Sequence, residues 1–278
     1  MTQRETAISI IQRLHEAGYE AFLVGGCVRD ELRGVDPEDY DISTSAQPEE
    51  VEGLFARTIA VGKCFGVMLV LEAERQYEVA TFRADGDYAD GRHPSKVEFS
   101  DAKTDANRRD FTVNGLFLNP VTGEVHDWVG GEADIVAHTL RTIGDPAERF
   151  GEDHLRLLRA VRFAAQLDFE IDSATWSAVE ANAAAITKVS AERIRDELLK
   201  LFRPPHAVLG LDLLRDSGLL AYVLPEMMDT IGSEQSPEYH PEGDVYNHIR
   251  LMLEFMGNDA SAELPWTILL HDIAKPAT

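Results

Sequence analysis

The run Gly25-Gly26-Cys27-Val28-Arg29-Asp30 is followed nine residues later by Asp39-Tyr40-Asp41. A glycine turn just upstream of two alternating carboxylates suits a nucleoside triphosphate and its metal ions. In an extended strand, residues two apart share a face, so Asp39 and Asp41 would stand together with Cα atoms roughly 6.5 Å apart, a spacing that suits Mg²⁺. Alone, such a pair is more often a turn or a cap.

Two further clusters add weight. Asn107-Arg108-Arg109-Asp110-Phe111-Thr112-Val113-Asn114-Gly115 sets two guanidiniums and a carboxylate beside an apolar segment. Arginine grips phosphate in two-point fashion, and an adjacent aspartate can accept from ribose hydroxyls. A surface ion-pair cluster explains the same residues. Glu152-Asp153-His154-Leu155-Arg156 continues through Arg159 and Arg162. On a helix Asp153 and Arg156 would be neighbours, with Arg159 and Arg162 prolonging the ridge, and an acceptor beside a donor can match the edge of a base. An intrahelical salt bridge explains that spacing equally well.

The elements that must position these groups follow from periodicity. Residues 1–20 carry Ile8, Ile11 and Leu14 at helical spacing among charges, which predicts a helix and not a signal peptide. An apolar strand at residues 21–24 runs into the glycine turn, and a helix beginning near Gly26 would aim its amide end at a phosphate. Residues 66–72 and 76–82 predict a hairpin, and an antiparallel meander is the expected sheet. Residues 84–94 lack periodicity and predict a loop. Beyond Asp145-Pro146 the pattern is near-continuous helix, with Leu155, Leu158 and Val161, then Ile194, Leu198 and Leu201, at helical spacing.

The chain has 278 residues, 44% hydrophobic and 27% charged, which suits a globular protein of one large or two modest domains. Its net charge of -23 argues against coating nucleic acid through bulk electrostatics, so any such contact is local. Two cysteines, Cys27 and Cys64, are too few for a disulfide framework and suit a reducing compartment. No apolar run approaches the ~20 residues of a membrane span, so a cytoplasmic location without membrane contact is expected.

In their order and spacing, these motifs resemble bacterial class II tRNA nucleotidyltransferases and poly(A) polymerases over roughly residues 20 to 275. The resemblance implies an α+β architecture: a polymerase beta-like nucleotidyltransferase head with an antiparallel-rich sheet (1–140), a helical neck for base recognition (141–205) and a helical body (206–278). It implies that Asp39 and Asp41 hold two Mg²⁺ ions and that Gly25, Gly26, Arg29, Arg109, Asp110, Asn114, Asp153, Arg156, Arg159 and Arg162 contact ATP or CTP, with Glu152 supporting the base-selecting pair. Glu78 is a candidate third carboxylate, against a solvent-facing strand glutamate. Residues 127–131 resemble the head-to-neck hinge, and Glu192-Arg193-Ile194 the last neck motif. Residues 83–94 match the family's flexible loop, which argues against a purely CC-adding enzyme. Val113 and Gly115, around Asn114, depart from the family's usual isoleucine and alanine.

Near the C-terminus, Pro241 to His248 and Leu269 to Pro276 resemble the start of an HD-type phosphohydrolase domain, with His248, His271 and Asp272 as a candidate metal site. The distal aspartate that completes such a site is missing, and Ala274 stands where glycine is usual. A chain ending inside this motif is expected to be part of a longer protein. The expected activity is template-independent addition of C and A to a tRNA 3′ end, in a CCA-adding or A-adding reaction, with no obligate protein partner. A poly(A) polymerase is the alternative, ahead of an HD phosphohydrolase or a noncatalytic nucleotide-binding regulator.

Overall fold

The structure, a computed structural model, describes residues 1–86 and 97–277. It divides into two units, Met1–Asp145 and Pro146–Thr278.

The first unit is a seven-stranded sheet with helices packed on it. The strands are β1 (Ala21–Val24), β2 (Asp41–Thr44), β3 (Thr58–Gly62), β4 (Val67–Glu72), β5 (Arg75–Thr81), β8 (Phe117–Asn119) and β9 (Glu124–His126), in the order β3-β4-β5-β2-β1-β8-β9. A short separate pair is formed by β6 (Arg83–Asp85) and β7 (Val97–Phe99). The sheet is antiparallel-rich, but the expected meander is wrong at one seam: β2 and β5 are parallel, with Ile42 beside Val79. A parallel pair cannot be closed by a tight turn, and β3, β4 and the helix α3 (Pro48–Leu54) fill the connection. The β4–β5 hairpin is present, turned by Ala73 and Glu74, both with positive φ.

Helix α1 (Gln3–Glu16) starts with a Thr2–Glu5 capping box and buries Ala7, Ile10, Ile11 and Leu14. Helix α2 (Gly26–Leu32) follows β1 directly, as the sequence predicts. Phe22, Val24, Phe82, Ala102, Ala106 and Phe117 form one core cluster under the sheet, with Trp128 and Val129 against it. Helix α4 (Ala102–Asn107) and helix α5 (Gly131–Val136) complete the unit.

Asp127 caps α5, its carboxylate accepting the backbone N–H groups of Val129, Gly130, Gly131 and Glu132. The 127–131 segment is thus an anchored turn within the first unit, ahead of the division after Asp145. Its packing also accounts for Gly115: a Cβ there would stand 2.7 Å from Val129 Cγ2 and 3.0 Å from Ile143 Cδ1.

The second unit is helical: α6 (Pro146–Glu152), α7 (Arg156–Leu167), α8 (Ser173–Asn182), α9 (Ala191–Leu201), α10 (Ala207–Asp216), α11 (Leu220–Val223), α12 (Pro225–Asp229), α13 (Val245–Glu254) and α14 (Leu264–Leu270). Helix α7 is its axis, burying Leu157, Leu158, Ala160, Val161, Ala164 and Ala165. Arg250 on α13 grips both oxygens of Asp212 on α10. No helix of the described residues is long and apolar enough to cross a membrane.

Gly131 is held closely against its neighbours: a Cβ there would lie 2.2 Å from the Thr112 carbonyl oxygen, which is backbone and cannot rotate away. Gly131→Ala is expected to cost about 3 kcal/mol in urea unfolding, whereas Gly151→Ala, in α6 with nothing within 4 Å, leaves stability unchanged or raised.

Candidate active site

Strand β2 begins at Asp41, so Asp39 lies two residues ahead of the strand and not within it. The parallel register sets Asp41 beside Glu78, one step before the Ile42–Val79 pair, on the same face of the sheet. Burial and the neighbouring charges of Glu78 and Asp39 push the Asp41 carboxyl up to about 7, with Arg109 opposing. Glu78, although its residue keeps solvent exposure, is raised as well, by partial desolvation of its carboxyl and by Asp39, against Arg109 and Arg83. Its side chain is exposed in the sense expected of a strand glutamate, yet it shares the electrostatic environment of the pair.

The glycine turn is built for close approach. Gly25 has φ 74 and ψ -130, a region that side-chain-bearing residues avoid, and its N–H donates to the Leu116 carbonyl. A Cβ at Gly25 would stand 3.1 Å from Nη1 of Arg109. Arg109 donates through Nη2 to Ser43 Oγ (3.1 Å) and to Asp105 Oδ2 (3.0 Å), and its guanidinium lies 4.9 Å from the Phe117 ring centre. Its Nε is buried with no hydrogen-bond partner among the described residues.

A second chain of contacts runs through the turn's helix. Arg29 donates to both oxygens of Asp30 and, at 2.7 Å, to Asn114 Oδ1. Asn114 donates to Asp110, which also accepts the N–H of Phe111. All of Arg29, Asp110 and Asn114 are buried. The structure therefore brings Gly25, Gly26, Arg29, Asp39, Asp41, Glu78, Arg109, Asp110 and Asn114 into one region of the first unit. Sequence reasoning missed Ser43 and Asp105. The spacing of Asp105 from Arg108 and Arg109, three and four residues, was the available signal.

Cys27 is buried, and burial pushes its thiol up to about 12, so it is a packing residue. Residues 87–94 of the expected flexible loop lie outside the described residues, while Arg83–Asp85 forms β6.

In the second unit the expected Asp153–Arg156 neighbour pair is not formed. Helix α6 ends at Glu152 and α7 starts at Arg156, so Asp153 lies in the connection, where the helical spacing rule has no force. Asp153 is instead gripped at both oxygens by Arg193 of α9, at 3.2 and 2.8 Å. Arg156 is buried and donates to Glu152 and to the Arg149 carbonyl. Arg162 does not extend an open ridge: it is buried, donates to Glu197 at 2.6 Å and to Gln166, and lies over the Phe163 ring. Arg159 stands 4.0 Å from Glu197.

A separate cluster joins α13 to the end of α14. His248 Nδ1 meets Glu242 at 2.6 Å, and Glu242 also meets His240. Nε2 of His248 and of His271 stand 3.8 and 3.2 Å from Asp272 Oδ2, which Lys275 also contacts at 2.6 Å. His271 Nδ1 lies 2.7 Å from the Ile268 carbonyl oxygen, so both ring nitrogens face oxygen atoms. His240 and Glu242 were not anticipated.

Residues 21–141 match the family described as the poly A polymerase head domain, and residues 168–231 that described as the probable RNA and SrmB-binding site of polymerase A. The chain is 44% identical over 219 residues to a CCA-adding enzyme of Limosilactobacillus reuteri, covering 78% of this chain and 54% of that one. It is 38% identical over 272 residues to a CCA-adding enzyme of Enterococcus faecalis, covering 97% and 63%. The chain thus spans between about half and two thirds of the curated relatives it matches. The crystal structure of the Bacillus stearothermophilus CCA-adding enzyme in complex with CTP superposes with a TM-score of 0.81 at 34% identity, over 99% of this chain and 63% of that chain.

A folded-state value near 7 for Asp41, against 3.8 for a free side chain, means that the folded chain holds more protons than the unfolded chain between those values. Stability from this group therefore falls as pH rises across that window. Without divalent ions, the Tm is expected to drop between about pH 4 and pH 7, and Asp41→Asn to flatten that slope. An unchanged slope in the variant would place the titration elsewhere.

Proposed function

Because residues 21–141 belong to the poly A polymerase head-domain family, we propose that the chain is the catalytic part of an RNA 3′-nucleotidyltransferase that adds C and A to tRNA ends and releases pyrophosphate. The observation that carries this reading is the carboxylate cluster Asp39–Asp41–Glu78 beside the Gly25 turn and Arg109. CTP as a substrate is supported by the Bacillus stearothermophilus relative, whose structure holds it.

The donor set fits Mg²⁺. It is all carboxylate oxygen, the hard ligand type this ion takes, and a cation would offset both the burial and the like charges of Glu78 and Asp39 that raise Asp41. Asp39 and Asp41 would hold two ions, with Glu78 as a further oxygen. Bound there, the ions would lower the pKa of the RNA 3′-hydroxyl and neutralise charge on the α-phosphate and departing pyrophosphate. Arg109 and the amides of the Gly25–Gly26 turn contact the triphosphate in this reading. Arg29 and Asn114 hold Asp110 ready for a ribose hydroxyl. Asp153 and Arg156 select the base, and the Arg193 and Glu152 contacts fix their orientation before the nucleotide arrives.

Incubation with tRNA ending at the discriminator base, at C or at CC, with CTP or ATP separately, tests this. C addition to the first two and A addition to the third are expected, with incorporation abolished in Asp39→Ala and Asp41→Ala at a retained Tm. A long adenosine tail would instead identify a poly(A) polymerase, and incorporation unchanged in both variants would overturn the assignment.

The His248–His271–Asp272 cluster supports a second, independent reading as a divalent-ion site, since its three ligand atoms lie within 4.8 Å of one another. Imidazole with carboxylate suits a transition ion better than Mg²⁺. Mn²⁺ titration followed by electron paramagnetic resonance is expected to show a site that survives Asp39→Ala plus Asp41→Ala and disappears in His248→Ala plus His271→Ala. Loss of all binding in the first double variant would remove this site.

A further inference from the structure

We propose that Asp105 is a positioning residue, which sets the reach of Arg109 toward the glycine turn and ties that reach to the foot of the β6–β7 hairpin. The proposal rests on the reading of Arg109 as a nucleotide contact.

Asp105 is fully buried on α4, with 0% exposure. Its Oδ1 accepts Nε and Nη2 of Arg108, at 2.9 and 2.7 Å, and the backbone N–H of Arg83 at 3.3 Å. Its Oδ2 accepts Nη2 of Arg109 at 3.0 Å. One planar group thus holds two guanidiniums and the first residue of β6 in fixed relation. Burial alone would raise this carboxyl, and the Arg109 and Arg108 guanidiniums hold it below the usual carboxylate range, so it stays charged.

Among the described residues, Asp105 is the one carboxylate to which Arg109 donates a hydrogen bond. The other direct contacts of Arg109 are a hydroxyl, Ser43 Oγ, and the face of Phe117. Ser43 is two residues from Asp41 on β2, and Nη1 of Arg109 lies against Gly25, so the guanidinium is held between the carboxylate strand and the turn. Asp41 and Glu78 also attract Arg109 through their charge, but Asp105 is the carboxylate that it meets in a directional, charge-assisted hydrogen bond, while Ser43 and the Phe117 ring offer uncharged contacts. The Arg83 N–H enters the same carboxylate, so a shift of the hairpin foot and a shift of Arg109 are not independent.

Affinity for a non-reacting CTP analogue, measured by calorimetry with Tm recorded in parallel, tests this in the full chain. Asp105→Asn keeps the size and the acceptor for Arg83 but loses the charge, and is expected to weaken binding about tenfold. Arg109→Ala is expected to weaken it at least as much. The double variant is expected to bind no worse than Arg109→Ala alone, because Asp105 acts only through that guanidinium. Should Asp105→Asn fail to fold, Asp105→Glu, which keeps the charge and displaces the carboxylate, replaces it in the same cycle with the same expectation.

Wild-type affinity in the Asp105 variant, with only its Tm lowered, would reduce Asp105 to a structural ion pair and overturn the proposal. So would independent, additive losses in the double variant. An Arg109→Ala chain with unchanged affinity would overturn the reading of Arg109 itself, an outcome distinguishable from the other two.

Discussion

Burying Asp41 beside Glu78 at one seam of the first unit's sheet, with the charge of Asp39 acting on both, is the constraint around which the site is built. The parallel β2–β5 pairing puts Asp41 beside Glu78, and Asp39 enters from the approach to β2. Burial of Asp41, reinforced by the like charges of Glu78 and Asp39, disfavours its ionised form, which is why its carboxyl is pushed up to about 7. The folded chain tolerates this because Arg109 stands opposite as the countercharge. Residual negative field at such a seam favours a divalent cation over any neutral occupant.

Holding Arg109 in that place takes much of the surrounding structure. The left-handed turn at Gly25 leaves room for the guanidinium, and a side chain there would contact it at 3.1 Å. Phe117, part of the sheet core, supplies a ring face beneath it. Asp105, buried on α4, supplies the charge. The Arg29–Asn114–Asp110 chain then fixes the turn's helix to the segment that follows Arg109. Core packing and site geometry are therefore one structure, with the aromatic cluster serving both.

The second unit handles charge differently. Three of its arginines pair with carboxylates on other elements: Arg193 with Asp153 of the α6–α7 connection, Arg162 with Glu197, and Arg250 with Asp212. Buried pairs such as Arg162–Glu197 contribute little net stability over apolar packing, but removing one partner strands the other charge. They therefore fix the relation of α7 to α9 and of α10 to α13 more than they strengthen it.

The sequence alone determined the local elements and the residue types of the site. Strand β1, the Gly25 turn and α2 were legible because an apolar run, two glycines and a helical pattern each act over a few residues. The motif order likewise identified the family that the comparisons then matched. Only the tertiary structure decided which groups meet. Glu78 joins the aspartates through a parallel register set by chain crossover, which no local period encodes. Asp153 pairs with Arg193, forty positions away, because the helix breaks at Asp153 and leaves Arg156 to Glu152. Gly115, read as a departure from the family pattern, proved to be required by Val129 and Ile143. Local propensity depends on neighbours in sequence, whereas charge pairing and close packing depend on neighbours in space, and the latter exist only once the chain has folded.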